Sequence, residues 1–240
     1  MISARKRLVL WDVDYTLVDA GGLSTHGYAL AFQEQFGREL VHPAPMLGRT
    51  DRAIVADTLR RNGVDDSESQ VEAFRIALEA VHVDGAAYVR QHGHPLKGAA
   101  EALAALARQP YLVQSLLTGN VRPYAEAKVR AFTLHTFLDL DSGAYGWEHT
   151  IRSELVSVAR TAAGNRHGAD FSGRATVLVG DTPLDVEAAL ATGAAAVAVA
   201  SGSHGVDELW EAGAHAVLPD LSDTDHVVET IMKVSSLPGS

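Results

Sequence analysis

Short, mostly apolar runs recur along the chain, and each one ends in polar residues or a turn. They lie at Leu8–Trp11, Tyr111–Leu117, Ala175–Val179, Ala195–Ala200 and Ala216–Leu218. Runs of this length that lack a regular polar alternation are typical of parallel strands buried on both faces. The pattern predicts a parallel β-sheet.

Helical spacing of apolar residues fills the segments between these runs. The predicted helices are, in chain order, Thr25–Phe36, Asp51–Asn62, Glu68–Gln91, Ala99–Arg108, Arg122–Phe132, Ser153–Ala163, Leu184–Thr192 and Val206–Ala212. The first three share a stretch, residues 23–92, that has no convincing strand. We therefore predict a doubly wound, Rossmann-like α/β core formed by residues 1–19 and 96–240, with an all-helical cap inserted at residues 20–95.

Oxygen-bearing side chains follow three of the predicted strands. Asp12 and Asp14 come after the first, Thr118-Gly119-Asn120 after the second, and Asp181 and Asp185 after the third. Because parallel strands bring their carboxyl ends to one edge of a sheet, we expect these residues to meet there. Neighbouring carboxylates repel each other unless a divalent cation offsets the charge or one is protonated and acts as an acid. The combination predicts a hard-cation site that also holds a phosphate.

Each motif alone also has a purely structural explanation. An aspartate after a strand can cap a turn, and Thr118-Gly119-Asn120 can be a helix cap with a turn glycine rather than an anion cradle. Asp185 lies in the first turn of a helix that begins near Pro183, where it can offset the helix dipole by about 0.3–1 kcal/mol. That explanation does not extend to Asp181.

Charge and composition narrow the function. The formal net charge is −10, and the basic residues are scattered, so nucleic acid is not an expected partner. The same acidity repels a phosphate dianion, which would need a local cation. The chain has no cysteine, which excludes disulfides, thiolate catalysis and cysteine-ligated metals and fits a reducing cytoplasm. We find neither an export signal nor an apolar stretch of about 18 residues, so we expect a cytoplasmic protein without a membrane segment.

Three motifs in this order resemble those of the haloacid dehalogenase superfamily, in its phosphatase branch with a helical cap. That branch includes phosphoglycolate phosphatase and β-phosphoglucomutase. The family pattern of four apolar residues and then D-x-D-x-T is matched by Leu8–Thr16, and its Ser/Thr motif by Thr118. Its G-D-x-x-x-D motif is matched by Gly180, Asp181 and Asp185. The match extends to about residue 200.

The resemblance implies a Mg²⁺-dependent phosphohydrolase acting on a small phosphorylated metabolite. Asp12 would attack phosphorus to give an aspartyl-phosphate. Asp14 would protonate the leaving oxygen and later deprotonate the hydrolytic water. The metal would be held by the Asp12 carboxylate, the Asp14 backbone carbonyl and Asp181. Asp185 would either bind the metal itself or support these ligands from behind.

The resemblance also implies the substrate contacts. Thr118 and the amides of Gly119 and Asn120 would hold the phosphoryl oxygens, with Thr16 also on the substrate. In the cap, Gly48-Arg49-Thr50-Asp51 resembles the substrate-facing turn of capped relatives, so Arg49 could touch the substrate. A helix-capping role for Thr50 or Asp51 is the alternative.

The sequence departs from the family pattern at two places. Tyr15 stands where most relatives have Gly, which would alter the backbone beside the metal or fill the entrance. The family's third motif is a Lys before the last core helix, and this chain has no obvious Lys at that position. We favour Arg152, at a helix start, over Lys128, which is expected roughly 9–12 Å from the sheet edge unless its helix runs obliquely. The alternative is that Arg152 is a surface residue in a charged turn, with no role in the site.

Three other functions are alternatives to hydrolysis of a phosphate monoester. A phosphoryl mutase shares the core chemistry, and the cap decides whether water or a sugar hydroxyl accepts the phosphoryl group. Dehalogenation is disfavoured, because enzymes that displace halide need no leaving-group acid and Asp14 is present. A non-catalytic phosphate-binding or regulatory protein would not need a nucleophile beside an acid, so Asp12 and Asp14 together argue against it.

Overall fold

The strands form one large sheet and one small ribbon in this computed structural model, which describes residues 6–81 and 84–236. The strands are β1 (Arg7–Trp11), β2 (Val18–Asp19), β3 (His94–Pro95), β4 (Leu112–Leu116), β5 (Thr176–Gly180), β6 (Ala195–Val199) and β7 (Ala216–Leu218). Five of them make a parallel sheet in the order β4-β1-β5-β6-β7, and β2 pairs with β3 in an antiparallel ribbon.

Ten α-helices accompany these strands in the described residues. They are α1 (Leu23–Phe36), α2 (Asp51–Arg61), α3 (Glu68–Ala80), α4 (Gly85–His92), α5 (Ala99–Ala107), α6 (Arg122–Ala131), α7 (Arg152–His167), α8 (Pro183–Ala191), α9 (Val206–Glu211) and α10 (Thr224–Val234). The predicted α/β fold with a parallel sheet and an inserted set of helices is confirmed. In the described residues, no helix is both long enough and apolar enough to cross a membrane.

Both faces of the sheet are covered, which explains the apolar runs. On β1, Val9 and Trp11 belong to one buried cluster, whereas Leu8 and Leu10 belong to another that includes Leu155 of α7. All four strand side chains are fully buried. Because successive strand residues point to opposite faces, a sheet packed on both sides favours apolar residues at consecutive positions. Each large side chain buried in this way contributes about 1.5–3 kcal/mol.

The strand register brings the three motifs level with one another. Trp11 is paired with Leu116 on one side and with Val179 on the other. The backbone continues this pairing by one residue, since the Asp12 amide donates to the Val179 carbonyl at 2.8 Å. On the other side, the Leu117 amide donates to the Trp11 carbonyl, also at 2.8 Å. The residues that follow β1, β4 and β5 therefore emerge side by side at the carboxyl edge.

Helices α1 to α4 pack together over this edge. The Phe74 ring of α3 lies 5.6 Å from the ring of Tyr28 and 6.4 Å from that of Phe32, both on α1. The start of α2 rests on the core, where the Asp51 amide donates to the Gly119 carbonyl at 2.7 Å. The β2–β3 ribbon joins the two chain segments that lead into and out of these helices.

Two helix predictions need correction. The single helix expected at Glu68–Gln91 is two helices, α3 and α4; residues 82 and 83 of the predicted helix lie outside the described residues. Asp84 begins a new helix because its side chain accepts a hydrogen bond from the Ala87 amide at 2.9 Å, as an N-cap does. The helix α10 was not predicted. The other predicted helices and all five predicted strands occur, with ends shifted by a few residues.

Candidate active site

A cavity of about 350 Å³ lies between the carboxyl edge of the sheet and the helical insert. Its floor is formed by the residues that follow the strands, and its outer wall by residues before and within the insert. The predicted site residues that line it are Asp12, Asp14, Arg49, Thr118, Gly119, Asn120, Arg152 and Asp181. Thr16, Lys128 and Asp185 lie behind this lining. A volume of this size suits a small organic ligand.

Asp12 is buried beneath the cavity and paired with Arg152. The Arg152 Nη2 atom donates to Asp12 Oδ1 at 2.7 Å. The side chain of Arg152 is only 7% exposed, and that of Asp12 only 10%. Burial raises the pKa of Asp12, an effect opposed by the Arg152 charge and reinforced by Asp185 and Asp14. Arg152 thus supplies a nearby positive charge that limits this rise.

Asp185 also holds the Arg152 guanidinium in place. Its Oδ1 atom accepts from Arg152 Nη2 at 2.6 Å and from Nε at 3.0 Å. Its Oδ2 atom accepts from the Thr182 hydroxyl at 2.6 Å and the Thr182 amide at 3.1 Å, which completes a capping box at the start of α8. Both oxygens of Asp185 are therefore engaged, and its role extends beyond offsetting the helix dipole.

Three buried carboxylates form a group that could hold a metal ion. Asp12, Asp181 and Asp185 each offer an oxygen within 4.8 Å of the others. Asp181 Oδ2 is buried without a hydrogen-bond partner in the described part of the chain. Burial raises the pKa of Asp181, and the charges of Asp12 and Asp185 add to the rise. An orphaned carboxylate oxygen among other carboxylates fits a hard divalent cation, which prefers oxygen ligands.

Thr16 supports this group from behind the cavity. Its hydroxyl donates to Asp181 Oδ1 at 3.5 Å, and its side chain is fully buried. Gly202 packs so closely against the Asp181 carboxylate that a Cβ atom would collide with Oδ2. Thr16, which is predicted to bind substrate, contacts a candidate metal ligand and does not itself line the cavity.

Lys128 is a fully buried cation that lies on Asp14. Its Nζ atom is 2.7 Å from both Asp14 oxygens, 2.6 Å from Asn120 Oδ1 and 3.0 Å from Ser24 Oγ. The predicted distance of Lys128 from the edge is wrong. Side chains on a helix lean toward its N-terminus, so the long lysine reaches back along α6 to the turn where the helix begins. The site thus contains two cations, one on each of the first two aspartates.

The Thr118-Gly119-Asn120 turn is tied to Asp14 by a side chain that was not predicted to act there. Asn120 Nδ2 donates to Asp14 Oδ2 and to Thr118 Oγ1, both at 2.7 Å. Gly119 has no room for a side chain because a Cβ atom would collide with the Arg49 carbonyl. The motif predicts a role only for the Asn120 backbone amide, because a side-chain contact with a distant aspartate leaves no signal in the sequence.

Tyr15 adopts the backbone conformation that a glycine would favour. Its φ of 54° is left-handed, which costs a non-glycine residue about 1–2 kcal/mol. Its carbonyl accepts from the Ser201 hydroxyl at 2.5 Å, and its ring lines the cavity with 41% exposed. The tyrosine therefore occupies the entrance and has a backbone angle that a glycine would adopt without strain.

The Gly48–Asp51 turn serves mainly to position α2. The Thr50 hydroxyl accepts from the Ala53 amide at 3.4 Å as an N-cap, so the capping alternative holds for Thr50. Asp51 is buried and accepts from the Tyr28 hydroxyl at 2.7 Å. Arg49 lines the cavity, but its guanidinium is bound by Asp57 Oδ2 at 3.0 Å and by the Pro45 carbonyl at 2.9 Å.

Comparison with known proteins agrees with the fold and the motifs. The model of the haloacid dehalogenase-like hydrolase family matches residues 9–190. The "Probable phosphatase IndB" of Dickeya dadantii (strain 3937) is 29% identical over 248 residues, which cover 98% of this chain and 99% of that protein.

Two solved structures show the same fold. A hydrolase from Pseudomonas syringae superposes with a TM-score of 0.65 at 20% identity, over 94% of this chain and 98% of its own. The "Putative beta-phosphoglucomutase from Bacteroides vulgatus" superposes with a TM-score of 0.64 at 18% identity, over 98% of this chain and 93% of its own. The family match covers most of this chain and includes the three motifs, so the chain belongs to the haloacid dehalogenase-like hydrolase family.

Proposed function

We propose that this hydrolase is a magnesium-dependent phosphatase that cleaves a small phosphate monoester through an aspartyl-phosphate on Asp12. The observation that carries the proposal is that Asp12 and Asp14 each have their own buried cation, Arg152 and Lys128. Two adjacent carboxylates with separate cations suit two separate roles, nucleophile and acid/base. A protein that only bound phosphate would need neither role.

Asp12 is the nucleophile. Arg152 holds its Oδ1 atom, and we assign the attack on phosphorus to Oδ2. The new bond joins this oxygen to phosphorus while the bond between phosphorus and the ester oxygen breaks. A water oxygen then attacks the same phosphorus, the bond to Asp12 breaks, and inorganic phosphate leaves.

Asp14 moves the protons. Its side chain is 34% exposed and lines the cavity, whereas that of Asp12 is 10% exposed. It can therefore reach the leaving alcohol, give that oxygen a proton in the first step, and take a proton from water in the second. Lys128 and Asn120 fix its orientation.

The metal ligands that we propose are the carboxylates of Asp12 and Asp181 and the backbone carbonyl of Asp14. When bound, Mg²⁺ supplies positive charge that screens the nucleophile from the phosphate dianion and polarises the phosphoryl group. Asp185 acts behind these ligands by orienting Arg152. Thr118 and the amides of Gly119 and Asn120 receive the phosphoryl oxygens, and Thr16 steadies Asp181 rather than the substrate.

We also propose that residues 20–95 act as a cap over the core, as the sequence predicts. Gly21 and Gly22, with φ of 59° and 80°, stand just after β2, and the β2–β3 ribbon ties the entering and leaving segments together. A paired ribbon next to glycines gives the cap a defined pivot.

Phosphate release from p-nitrophenyl phosphate with Mg²⁺ tests the proposed function. We expect steady turnover, and its loss in excess EDTA. Failure to release phosphate from any monoester would favour the alternative of a non-catalytic phosphate-binding protein. A phosphoryl mutase would instead move label from a sugar phosphate to another hydroxyl of the sugar faster than it releases inorganic phosphate.

The metal site has a test that does not depend on activity. Mg²⁺ at about a hundred times its Kd should raise the Tm of the wild-type protein by roughly 5–10 °C. Asp181→Asn should lose most of this shift and should be more stable than wild type without metal, because it removes a charge from a buried acidic group. Asp225→Asn, an exposed aspartate on α10, is the control and should behave as wild type. An undiminished Mg²⁺ shift in Asp181→Asn would remove Asp181 from the ligand set.

The two cations should both matter, in different steps. Arg152→Met and Lys128→Met should each lower kcat/KM by about 10²-fold or more, because each leaves an active-site carboxylate without its charge partner. The Arg152 loss should be similar for good and poor leaving groups, whereas the Lys128 loss should grow as the leaving alcohol becomes more basic. Arg130→Ala, on the exposed face of α6, is the control. A loss confined to Lys128→Met would show that Arg152 is not the third-motif cation.

A further inference from the structure

The outer wall of the cavity differs in character from its floor. Large apolar side chains remain uncovered there, since Tyr15 is 41% and Leu47 48% exposed while both line the cavity. The same wall includes Pro43, which is exposed, and Met46, which is half-buried. Apolar surface that stays open to a cavity beside polar catalytic groups is typical of the part of a site that receives a ligand's carbon skeleton.

The charges on this wall are either negative or already paired. Asp19 lines the cavity, and its Oδ1 atom accepts from the Gly21 amide at 2.9 Å. Arg49 is the one cationic residue of the described lining apart from Arg152, and Asp57 holds its guanidinium. Arg152 is committed to Asp12 and Asp185 on the floor. A second anionic group on the substrate would therefore face Asp19 without an available cation.

We infer that the substrate is the phosphate ester of an uncharged alcohol with a sizeable apolar face, and that the wall formed by Asp19 and the Asp57-bound Arg49 rejects esters carrying a carboxylate. This inference rests on the proposed phosphatase function. It narrows the substrate class beyond what the motifs imply, and it sets the chain apart from enzymes that act on phosphorylated carboxylic acids. The apolar wall packs against the alcohol while the floor binds the phosphoryl group.

A pair of isosteric substrates tests this inference. The esters 4-carbamoylphenyl phosphate and 4-carboxyphenyl phosphate have nearly the same shape and differ by one negative charge. We expect wild-type kcat/KM to be at least roughly tenfold higher for the carbamoyl ester. The cationic ester 4-(aminomethyl)phenyl phosphate should gain nothing over the carbamoyl ester. Equal or faster cleavage of the carboxylate ester, or a clear preference for the cationic one, would overturn the inference.

Two variants examine the cause of the selectivity. Asp57→Ala frees the Arg49 guanidinium, so it should raise kcat/KM for the carboxylate ester several-fold and leave the carbamoyl ester nearly unchanged. Asp19→Asn should also reduce the difference in kcat/KM between the carbamoyl and carboxylate esters, while its side-chain oxygen can still accept from the Gly21 amide. If neither variant reduces this difference in kcat/KM, Asp19 and the pairing of Arg49 with Asp57 are not the cause of the selectivity. Absence of phosphate release from all three esters would instead count against the proposed function itself.

Discussion

Asp12→Asn should lower kcat by at least about 10⁴-fold and leave the fold intact, because the variant loses the carboxylate oxygen that attacks phosphorus in the first step. The asparagine keeps the shape of the aspartate, and its carbonyl oxygen can still accept from Arg152 Nη2. It also removes one charge from the buried group formed with Asp181 and Asp185, so the metal-free variant should unfold at or above the wild-type Tm. Steady-state hydrolysis of p-nitrophenyl phosphate with Mg²⁺ measures the loss.

The control for this variant is Asp225→Asn, which changes an exposed aspartate that does not line the cavity and should keep full activity. Intact-mass analysis after a rapid acid quench adds a second measurement. Wild-type protein should carry a phosphoryl group during turnover, whereas Asp12→Asn should never carry one. Finding phosphate on the Asp12→Asn protein would contradict the assignment of Asp12 as the nucleophile.

Asp14→Asn should lower turnover by roughly 10²–10⁴-fold, the usual contribution of a positioned acid/base. The variant can neither protonate the leaving alcohol nor deprotonate water. An ester with a good leaving group needs no acid, so it should still phosphorylate Asp12, and the variant should then stall before hydrolysis. Burst kinetics with an activated aryl ester, compared with an alkyl ester, measure this difference.

The same substitution has a structural cost that must be separated from the chemical one. Lys128 is fully buried and is 2.7 Å from both Asp14 oxygens, so a neutral side chain at position 14 leaves a buried cation without its counter-ion. We therefore expect a lower Tm for Asp14→Asn. Far-UV circular dichroism at the assay temperature checks that the protein is folded. Equal losses for activated and alkyl esters in a folded variant would contradict the acid/base role.

The sheet and the meeting of the motifs could be predicted because they depend on local patterns. The apolar run Leu8–Trp11 implied burial on both faces, and the parallel arrangement then required Asp12, Thr118 and Asp181 to emerge at one edge. These inferences need only the period of a strand and the direction of the chain.

The contacts that depend on three-dimensional placement could not be predicted in this way. Lys128 was placed too far from the site because axial rise along a helix ignores the lean and length of the side chain. The pairing of Arg49 with Asp57 and the contact of Ser24 with Lys128 join residues whose relative positions are set by packing of the insert. The break between α3 and α4 was visible as Asp84-Gly85, a capping residue followed by glycine, but the apolar spacing on both sides concealed it.

Tyr15 shows how a departure from a family pattern can be read. A tyrosine in place of glycine suggested either a changed backbone or a filled entrance. The backbone has the left-handed conformation that glycine adopts readily, at a cost of about 1–2 kcal/mol for tyrosine. Tyr15 lines the cavity, so its ring can pack against an apolar face of the substrate, and this contact would offset the backbone strain.

The central claim is the covalent intermediate on Asp12, and the most direct test is to trap and locate it. Asp14→Asn is mixed with p-nitrophenyl phosphate and Mg²⁺, quenched in acid and digested, and the phosphorylated peptide is identified by mass spectrometry. We expect one phosphoryl group on Asp12, in near-stoichiometric amount. A phosphoryl group on any other residue, or none on protein that has released p-nitrophenol, would contradict it.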